Sequence, residues 1–150
     1  MALSAVFNIS LQFAVGTGSS VTFNSCDAWV SSVTFAHNET NNQYYPLANN
    51  GVAYNSTTGI APVLTASGKR EVGDASQEAI LGMQYALGNG RKGTLKFSVP
   101  TSVGSGGALT STTYTVPVNV QNITAFGGEG NADSDFSCEF AFDGTPEVVS

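Results

Sequence analysis

The sequence predicts a mainly β fold with one helix, and three observations point to it. Gly, Ser, Thr and Asn are abundant, whereas charged residues make up only 11% of the chain, a composition typical of strands and tight turns. Several segments alternate apolar and polar residues, which is the periodicity of half-buried strands. Only one segment has helical spacing. At 150 residues, we expect a single domain spanning 1–150.

The N-terminal part predicts two strands. Every odd position from Leu3 to Val15 is apolar, so this segment is expected to bury one face. The Gly- and Ser-rich turn at 16–20 and the β-rich run at 21–35 then predict a first hairpin. Trp29 in this run is expected in the core, with stacking on a sugar ring as the alternative.

Alternating segments at 95–99, 114–120 and 136–142 predict three further strands. Pro117 has no N–H to donate, so its strand is expected at a sheet edge or paired on one side only. Ile123 falls out of phase with the strand before it, which predicts a bulge near Asn122.

One flanking helix is predicted over about residues 75–87. Asp74 or Ser76 can cap its N-terminus, and Gly88 provides a stop. The apolar side chains that would form its buried face are Ala79, Ile80, Met83, Ala86 and Leu87.

Residues 36–59 are predicted to form a long polar arm in which only 52–54 has strand character. Loops of this length in a compact domain are usually functional or disordered, and the arm's aromatic residues favour contact over disorder. The candidate contact residues are Tyr44, Tyr45, Pro46 and Tyr54.

Charge is sparse and unevenly placed. The net charge is -6 with only five basic residues, which argues against tight nucleic-acid binding. The bases lie within 69–96 and the acids concentrate near the C-terminus. These groups can pair between copies of the chain or neutralise each other within one subunit. The candidate charged contacts are Lys69, Arg70, Arg91, Lys92, Asp133 and Asp135.

No catalytic or metal site is predicted, no cofactor is expected, and we do not expect an enzyme. His37 is the single histidine and has no nucleophile at a recognisable spacing. Cys26 and Cys138 are expected to be buried and reduced. The acidic run at 129–135 lacks the Gly and Glu of a calcium loop and is interpreted as a turn. We expect neither a signal peptide nor a membrane anchor.

From residue 69 to 150, the order of motifs resembles the major tail tube proteins of long-tailed bacteriophages. Lys-Arg-Glu-Val-Gly-Asp at 69–74 leads into the helix, and Gly-Arg-Lys-Gly-Thr-Leu-Lys-Phe-Ser-Val at 90–99 is similar to the family's glycine turn and returning strand. The strand, acidic turn and strand at 118–146, ending in Asp-Gly-Thr-Pro, resemble the family's end. The N-terminal half shows no such motif.

The resemblance implies an antiparallel β-sandwich or half-barrel with one flanking helix and a structural role in the virion tail. It implies six copies per ring, with rings stacked into a tube that conducts the genome, after assembly in the host cytoplasm. The implied partners are further copies of the chain, the tape measure and terminator proteins, and the sheath in contractile tails. Viral DNA would be a passing contact without specific binding.

The arm and the Gly-rich loop near Gly104 are the segments expected to contact the next ring. Two other functions are compatible with the same composition. A capsid decoration protein would also be β-rich and sparsely charged. A carbohydrate-binding module of a phage receptor-binding protein would use Trp29 and the arm tyrosines.

Overall fold

The computed structural model describes residues 3, 5, 8–18 and 20–149. Within these residues it contains ten strands, one α-helix (α1) and short 3-10 turns. The strands are β1 (Ser10–Val15), β2 (Asn24–Ser25), β3 (Val30–Ala36), β4 (Thr40–Tyr44), β5 (Tyr54–Gly59), β6 (Val63–Lys69), β7 (Lys92–Val103), β8 (Leu109–Thr124), β9 (Asp135–Phe142) and β10 (Glu147–Val148), and the helix α1 is Ala75–Leu81.

Eight strands form one antiparallel sheet. Its order is β2-β1-β7-β8-β9-β6-β3, with β10 paired to β8. The two remaining strands, β4 and β5, pair only with each other as a separate sheet. The predicted mainly β, antiparallel architecture with one helix is therefore confirmed.

The large sheet curls into an open half-barrel. The rings of Phe13 on β1 and Phe140 on β9 lie 5.4 Å apart, although β7 and β8 separate their strands. In a flat sheet these strands would be about 14 Å apart. The curl closes one face of the sheet around a core to which the helix adds Ile80. The fully buried side chains of this core include Leu11, Leu95, Val116, Val118, Val120, Phe136 and Cys138.

The first strand is shorter than predicted. Leu11 and Phe13 are buried as expected, but Leu3 and Val15 are exposed; Phe7 lies outside the described residues. The expected first hairpin is reduced to two residue pairs between β1 and β2, since β2 is only two residues long; the main partner of β1 is β7, on its other edge.

Of the two alternatives predicted from Pro117, the sheet edge is wrong, whereas pairing on one side only holds locally, since Pro117 has a ladder partner on the β7 side, Thr94, and none on the other. Its strand β8 is central, between β7 and β9. The Pro117 carbonyl accepts a hydrogen bond from the Asp143 N–H at 2.8 Å, at the point where β9 has just ended. The missing N–H therefore falls in the gap before β10 and costs no ladder bond. The predicted bulge is confirmed, since the β8–β9 register shifts between Gln121 and Thr124.

The helix begins where the sequence predicted and ends earlier. The Asp74 carboxylate accepts hydrogen bonds from the backbone N–H groups of Ser76 and Gln77, which is an N-cap. The helix stops at Leu81 instead of Leu87. Beyond it, turns with the tighter i→i+3 bonding keep Met83 buried in the core, so the apolar spacing is satisfied without a continuous helix.

Candidate assembly surfaces

The arm is a β-hairpin. Its strands β4 and β5 pair from Thr40 opposite Gly59 to Tyr44 opposite Tyr54, and nearly every residue of both is exposed. The sequence predicted strand character only at 52–54. Both faces of β4 and β5 are exposed to solvent, so their Asn, Thr and Gln residues show no alternation of apolar and polar side chains that would indicate a strand. Backbone pairing within the hairpin still orders the arm.

The tip of the arm, residues 44–54, is an ordered apolar surface. The rings of Tyr44 and Tyr54 lie 5.5 Å apart across the hairpin. Pro46 precedes a 3-10 turn, and the Asn49 side-chain amide donates to the Val52 carbonyl at 3.0 Å. The four arm residues singled out from the sequence lie at or beside this tip. Sequence reasoning missed two of its most exposed apolar side chains, Leu47 and Val52.

His37 stands at the base of the arm. Its ring lies edge-on to Phe35 at 5.0 Å, and its carbonyl accepts a hydrogen bond from the Ala61 N–H at 2.8 Å. Among the described residues, no three His, Cys, Asp or Glu side chains come together as metal ligands. The acidic run at 129–135 forms the turn between β8 and β9, closed by the Asp135 N–H donating to the Gly127 carbonyl at 2.8 Å.

Among the charged candidates, Lys69, Lys92 and Asp135 form ion pairs inside one chain. Lys69 Nζ lies 2.5 Å from Asp135 Oδ1 and 3.4 Å from the Asp133 carbonyl, and Lys92 Nζ lies 2.8 Å from Asp143 Oδ2. Lys69 and Asp135, offered as partners between copies, are therefore partners within a chain, which is the alternative left open by the sequence. These pairs are half-exposed, so each contributes only about 0–1 kcal/mol.

Arg70 belongs to a network that fixes the entry to the helix. Its guanidinium donates to Gln77 Oε1 at 2.6 Å and to Glu78 Oε1 at 2.7 Å. The buried Gln77 amide also donates to the Lys69 carbonyl at 2.9 Å and accepts from the Glu71 N–H at 2.8 Å. The hydrogen bond from Arg70 lowers the pKa of Glu78 below its usual range.

In the part of the chain that the structure describes, Arg91 forms no ion pair with a carboxylate and instead binds carbonyls. Its guanidinium donates to the carbonyls of Ala86 at 2.9 Å, Gln84 at 2.7 Å and Val120 at 3.4 Å. These bonds attach the segment that follows the helix to strand β8. Sequence reasoning placed Arg91 among the surface charges, since nothing in the sequence brings residues 84–86 and 120 together.

The side of the sheet opposite the core is polar, and two of its basic side chains, Lys69 and Lys92, are ion-paired with Asp135 and Asp143. Cross-strand neighbours on it include Gln12, Lys96 and Thr115 in one row, with Thr65 opposite Glu139 further along. We call this surface the polar face; its half-exposed or exposed residues include Ser10, Gln12, Ser32, Thr34, Val63, Thr65, Ser67, Lys69, Lys92, Thr94, Lys96, Ser98, Thr115, Pro117, Asn119, Gln121, Asp135, Ser137, Glu139, Ala141 and Glu147.

Strand β3 ends the sheet with an open edge. Its inner edge pairs with β6, and among the described residues no strand pairs with its outer edge. Residues 31–36 contain no charge and no proline, the devices that usually protect an edge from pairing with another chain. The edge has a single bulge, between Val30 and Ser32.

Trp29 and the two cysteines are core residues. Trp29 is 3% exposed, and its ring meets Phe136 edge-on at 4.9 Å, so the expectation of a core tryptophan is confirmed and the sugar-stacking alternative is wrong. Cys26 and Cys138 are buried and free, as expected. Burial raises the pKa of the Cys26 thiol to about 12 and raises the pKa of Cys138 as well.

Comparison with solved structures gives matches along nearly the whole chain. The SPP1 tail tube, solved by solid-state NMR and cryo-EM, has a TM-score of 0.64 at 12% identity, covering 97% of this chain and 78% of that one. The tail of an empty GTA particle, refined helically with C6 symmetry, has a TM-score of 0.64 at 12% identity and covers 99% and 100%. The chain has the phage tail tube fold.

A third match is the cap that terminates the tube of the anti-feeding prophage, with a TM-score of 0.58 at 14% identity, covering 99% of this chain and 93% of that one. No family model and no curated protein matches the sequence. The tail tube fold extends over the N-terminal half, where the sequence resembles no family motif, because strand pairing and core burial can be reproduced by many different apolar and polar residues.

None of the helices in the described part of the chain is long and apolar enough to cross a membrane.

Proposed function

We propose that this protein is the structural, non-enzymatic subunit of a tail tube. One domain, 1–150 with the arm at 36–59, would form rings of six copies that stack into a conduit for the genome. The observation that supports this most is the match to tail tube structures over 97–99% of the chain. The six-fold ring is supported by the C6 symmetry of the GTA tail.

The polar face is the surface that we assign to the bore. Hydroxyl and amide groups hold water without attracting phosphate, whereas each basic group on phosphate would retain DNA. The bases on this face are Lys69, Lys92 and Lys96, and the first two are ion-paired with Asp135 and Asp143 inside the chain. The Lys96 ammonium lies 4.7 Å from the centre of the Phe23 ring, and this cation–π contact makes the ammonium less available to bind phosphate.

The outer edge of β3 is the proposed junction between neighbours in a ring. Unpaired N–H and C=O groups on an edge pair with another strand when one is available. An edge without charge or proline would be a liability for a monomer. In a closed ring, each copy covers this edge with the sheet of the next, and the liability disappears.

The arm is the proposed contact between rings, with Tyr44, Tyr45, Pro46 and Tyr54 as contact residues. Exposed aromatic residues on an ordered hairpin bury apolar area at small entropic cost. The tip of the β7–β8 hairpin, residues 104–107, is a second proposed contact. Between 97 and 128 the chain has no charged residue, so this hairpin can be buried without stranding a charge.

The further partners we propose are other components of the virion tail: the tape measure and terminator proteins, and a sheath if the tail contracts. Assembly would occur in the host cytoplasm, and viral DNA would pass without specific binding. The net charge of -6 is consistent with a wall that repels DNA rather than holding it.

Negative-stain electron microscopy of the purified chain, paired with sedimentation over a range of concentrations, tests this function. We expect rings or tubes with a central hole. A compact monomer at high concentration would contradict the proposal. Discrete trimers that bind a capsid shell would instead indicate a decoration protein, and glycan binding by the isolated chain would indicate a carbohydrate-binding module.

A further inference from the structure

The turn that follows the helix, residues 82–88, exposes two large side chains. We call it the post-helix turn. Tyr85 is 91% exposed and Leu87 is 88% exposed. Side chains of this size are normally at least partly covered in a folded chain. Two of them, separated by one residue on a short segment, indicate a surface that binds another molecule.

The post-helix turn is held rigidly in spite of this exposure. Arg91 binds the carbonyls of Gln84 and Ala86 and, through Val120, anchors them to the sheet. Met83, at the start of the turn, is buried in the core. A contact made on a preordered segment loses little conformational entropy. Arg91 is therefore a positioning residue for Tyr85 and Leu87.

The charge pattern narrows what can cover the turn. Residues 79–90 contain no Asp, Glu, Lys, Arg or His. Two other exposed apolar residues lie beside charges: Val72 follows Glu71, and Val148 follows Glu147. The Arg91 guanidinium that contacts this turn is engaged by its backbone carbonyls, and residues 79–90 offer no charged side chain to pair with a charge on a partner, so an uncharged partner surface is favoured.

The arm tip is the surface that matches it. Residues 40–59 are also free of those five residue types, and Leu47 at the tip is 99% exposed. The arm tip and the post-helix turn are both uncovered in the same chain, so they are not partners within one copy. Two different complementary patches on one molecule generate a head-to-tail contact, the kind that closes rings or extends stacks.

We propose that the arm tip of one copy docks on the post-helix turn of another copy, with Leu47 and the tip tyrosines packing against Tyr85 and Leu87. This inference rests on the proposed function and adds the acceptor surface to it. It involves two apolar patches and no ion pair, so the contact is insensitive to salt.

A charge-pair experiment tests the contact. Leu47→Lys and Leu87→Glu each place a charge at a site so exposed that the fold has room for it. We expect each single variant to remain folded by circular dichroism but to lose tube elongation in electron micrographs. The double variant brings opposite charges together in the proposed contact and is expected to regain tubes, now in a salt-sensitive way.

Val72→Glu is the matched control, since Val72 is also 88% exposed but lies on a different turn, before the helix; it is expected to elongate normally. If Leu87→Glu elongates like the wild type, the acceptor is wrong while the tail tube function stands. A double variant that still forms no long tubes also overturns the direct contact. If Val103→Glu, at the end of β7, loses tubes while Leu87→Glu keeps them, the acceptor is the β7–β8 hairpin instead. If the wild type itself forms no rings or tubes, the proposed function fails instead.

Discussion

The indole N–H of Trp29 donates a 2.8 Å hydrogen bond to Ser76 Oγ, inside the core and across 47 residues of sequence. Ser76 in turn donates to the Asp74 carboxylate that caps the helix. This chain of bonds connects the segment leading into β3 with the first turn of α1. It also leaves the only tryptophan of the protein as a reporter of the core.

Replacing Ser76 with alanine should leave the indole N–H buried without an acceptor. We expect Ser76→Ala to lower the free energy of unfolding by about 1–3 kcal/mol, measured by urea denaturation with Trp29 fluorescence as the probe. Ser105→Ala, at an exposed position, should change it by less than about 0.5 kcal/mol. Equal midpoints for the two variants would show that the Trp29 bond contributes nothing to stability.

Gly68 is expected to tolerate no side chain. A Cβ atom there would lie 1.7 Å from the Trp29 carbonyl oxygen, so the backbones of β6 and the β3 segment would have to separate. We expect Gly68→Ala to cost at least about 2–3 kcal/mol, seen as a drop in melting temperature. Gly127→Ala, where a Cβ meets nothing within 4 Å, is the control and should melt close to the wild type. Matching losses in both variants would contradict the steric explanation.

The buried thiols should make the protein less stable in alkali. Burial raises the pKa of Cys26 from 9.0 to about 12, so between these values the unfolded chain releases a proton that the folded chain keeps. Stability therefore falls as pH rises through this window, by about 1.4 kcal/mol per pH unit for each such thiol.

A variant carrying Cys26→Ala and Cys138→Ala should show a shallower loss of stability between pH 9 and 11 than the wild type, measured by chemical denaturation at each pH. Every ionisable group other than the two thiols is common to both proteins and cancels in the difference. In the native wild type, an alkylating reagent should modify neither thiol until the chain unfolds. Rapid labelling of the folded protein, or parallel pH profiles, would exclude the proposed burial effect.

Deleting residues 41–55 should separate folding from elongation. Thr40, just before the deletion, pairs with Gly59, just after it, so the ends can be rejoined without disturbing β3 or β6. We expect folded monomers or rings that no longer elongate, scored by electron microscopy and circular dichroism. Tubes of normal length from this variant would show that the arm is not the contact between rings.

Local patterns were predicted well wherever a residue's role depends on its neighbours in sequence. The alternation of Phe136, Cys138 and Phe140 placed their strand and its buried face, and the αL-compatible Asn122 coincided with the predicted bulge. Asp74 was one of the two candidate caps, with Ser76, because capping is a contact over two or three residues, and the structure selects Asp74. These features need no knowledge of distant parts of the chain.

Predictions failed where a distant segment decides the environment. Val15 alternates in phase with Phe13 but is exposed at the end of β1. Pro117 lies in a central strand, which tolerates a proline there because β9 ends beside it. The sequence left open whether the charges pair within one chain or between copies; the intrachain pair of Lys69 and Asp135 follows from a strand register that composition cannot reveal. The arm's pairing was hidden because neither of its faces is buried.

The sequence alone determined the class of this protein: a β-rich, sparsely charged chain with one capped helix and an arm free of charge over 40–59. Those properties follow from composition and short-range spacing. Only the tertiary structure decided that the sheet curls until Phe13 meets Phe140, that Arg91 holds the post-helix turn, and which edge and which face stay uncovered. Strand order and register join residues far apart in the chain, and the burial that selects them is a property of the whole fold.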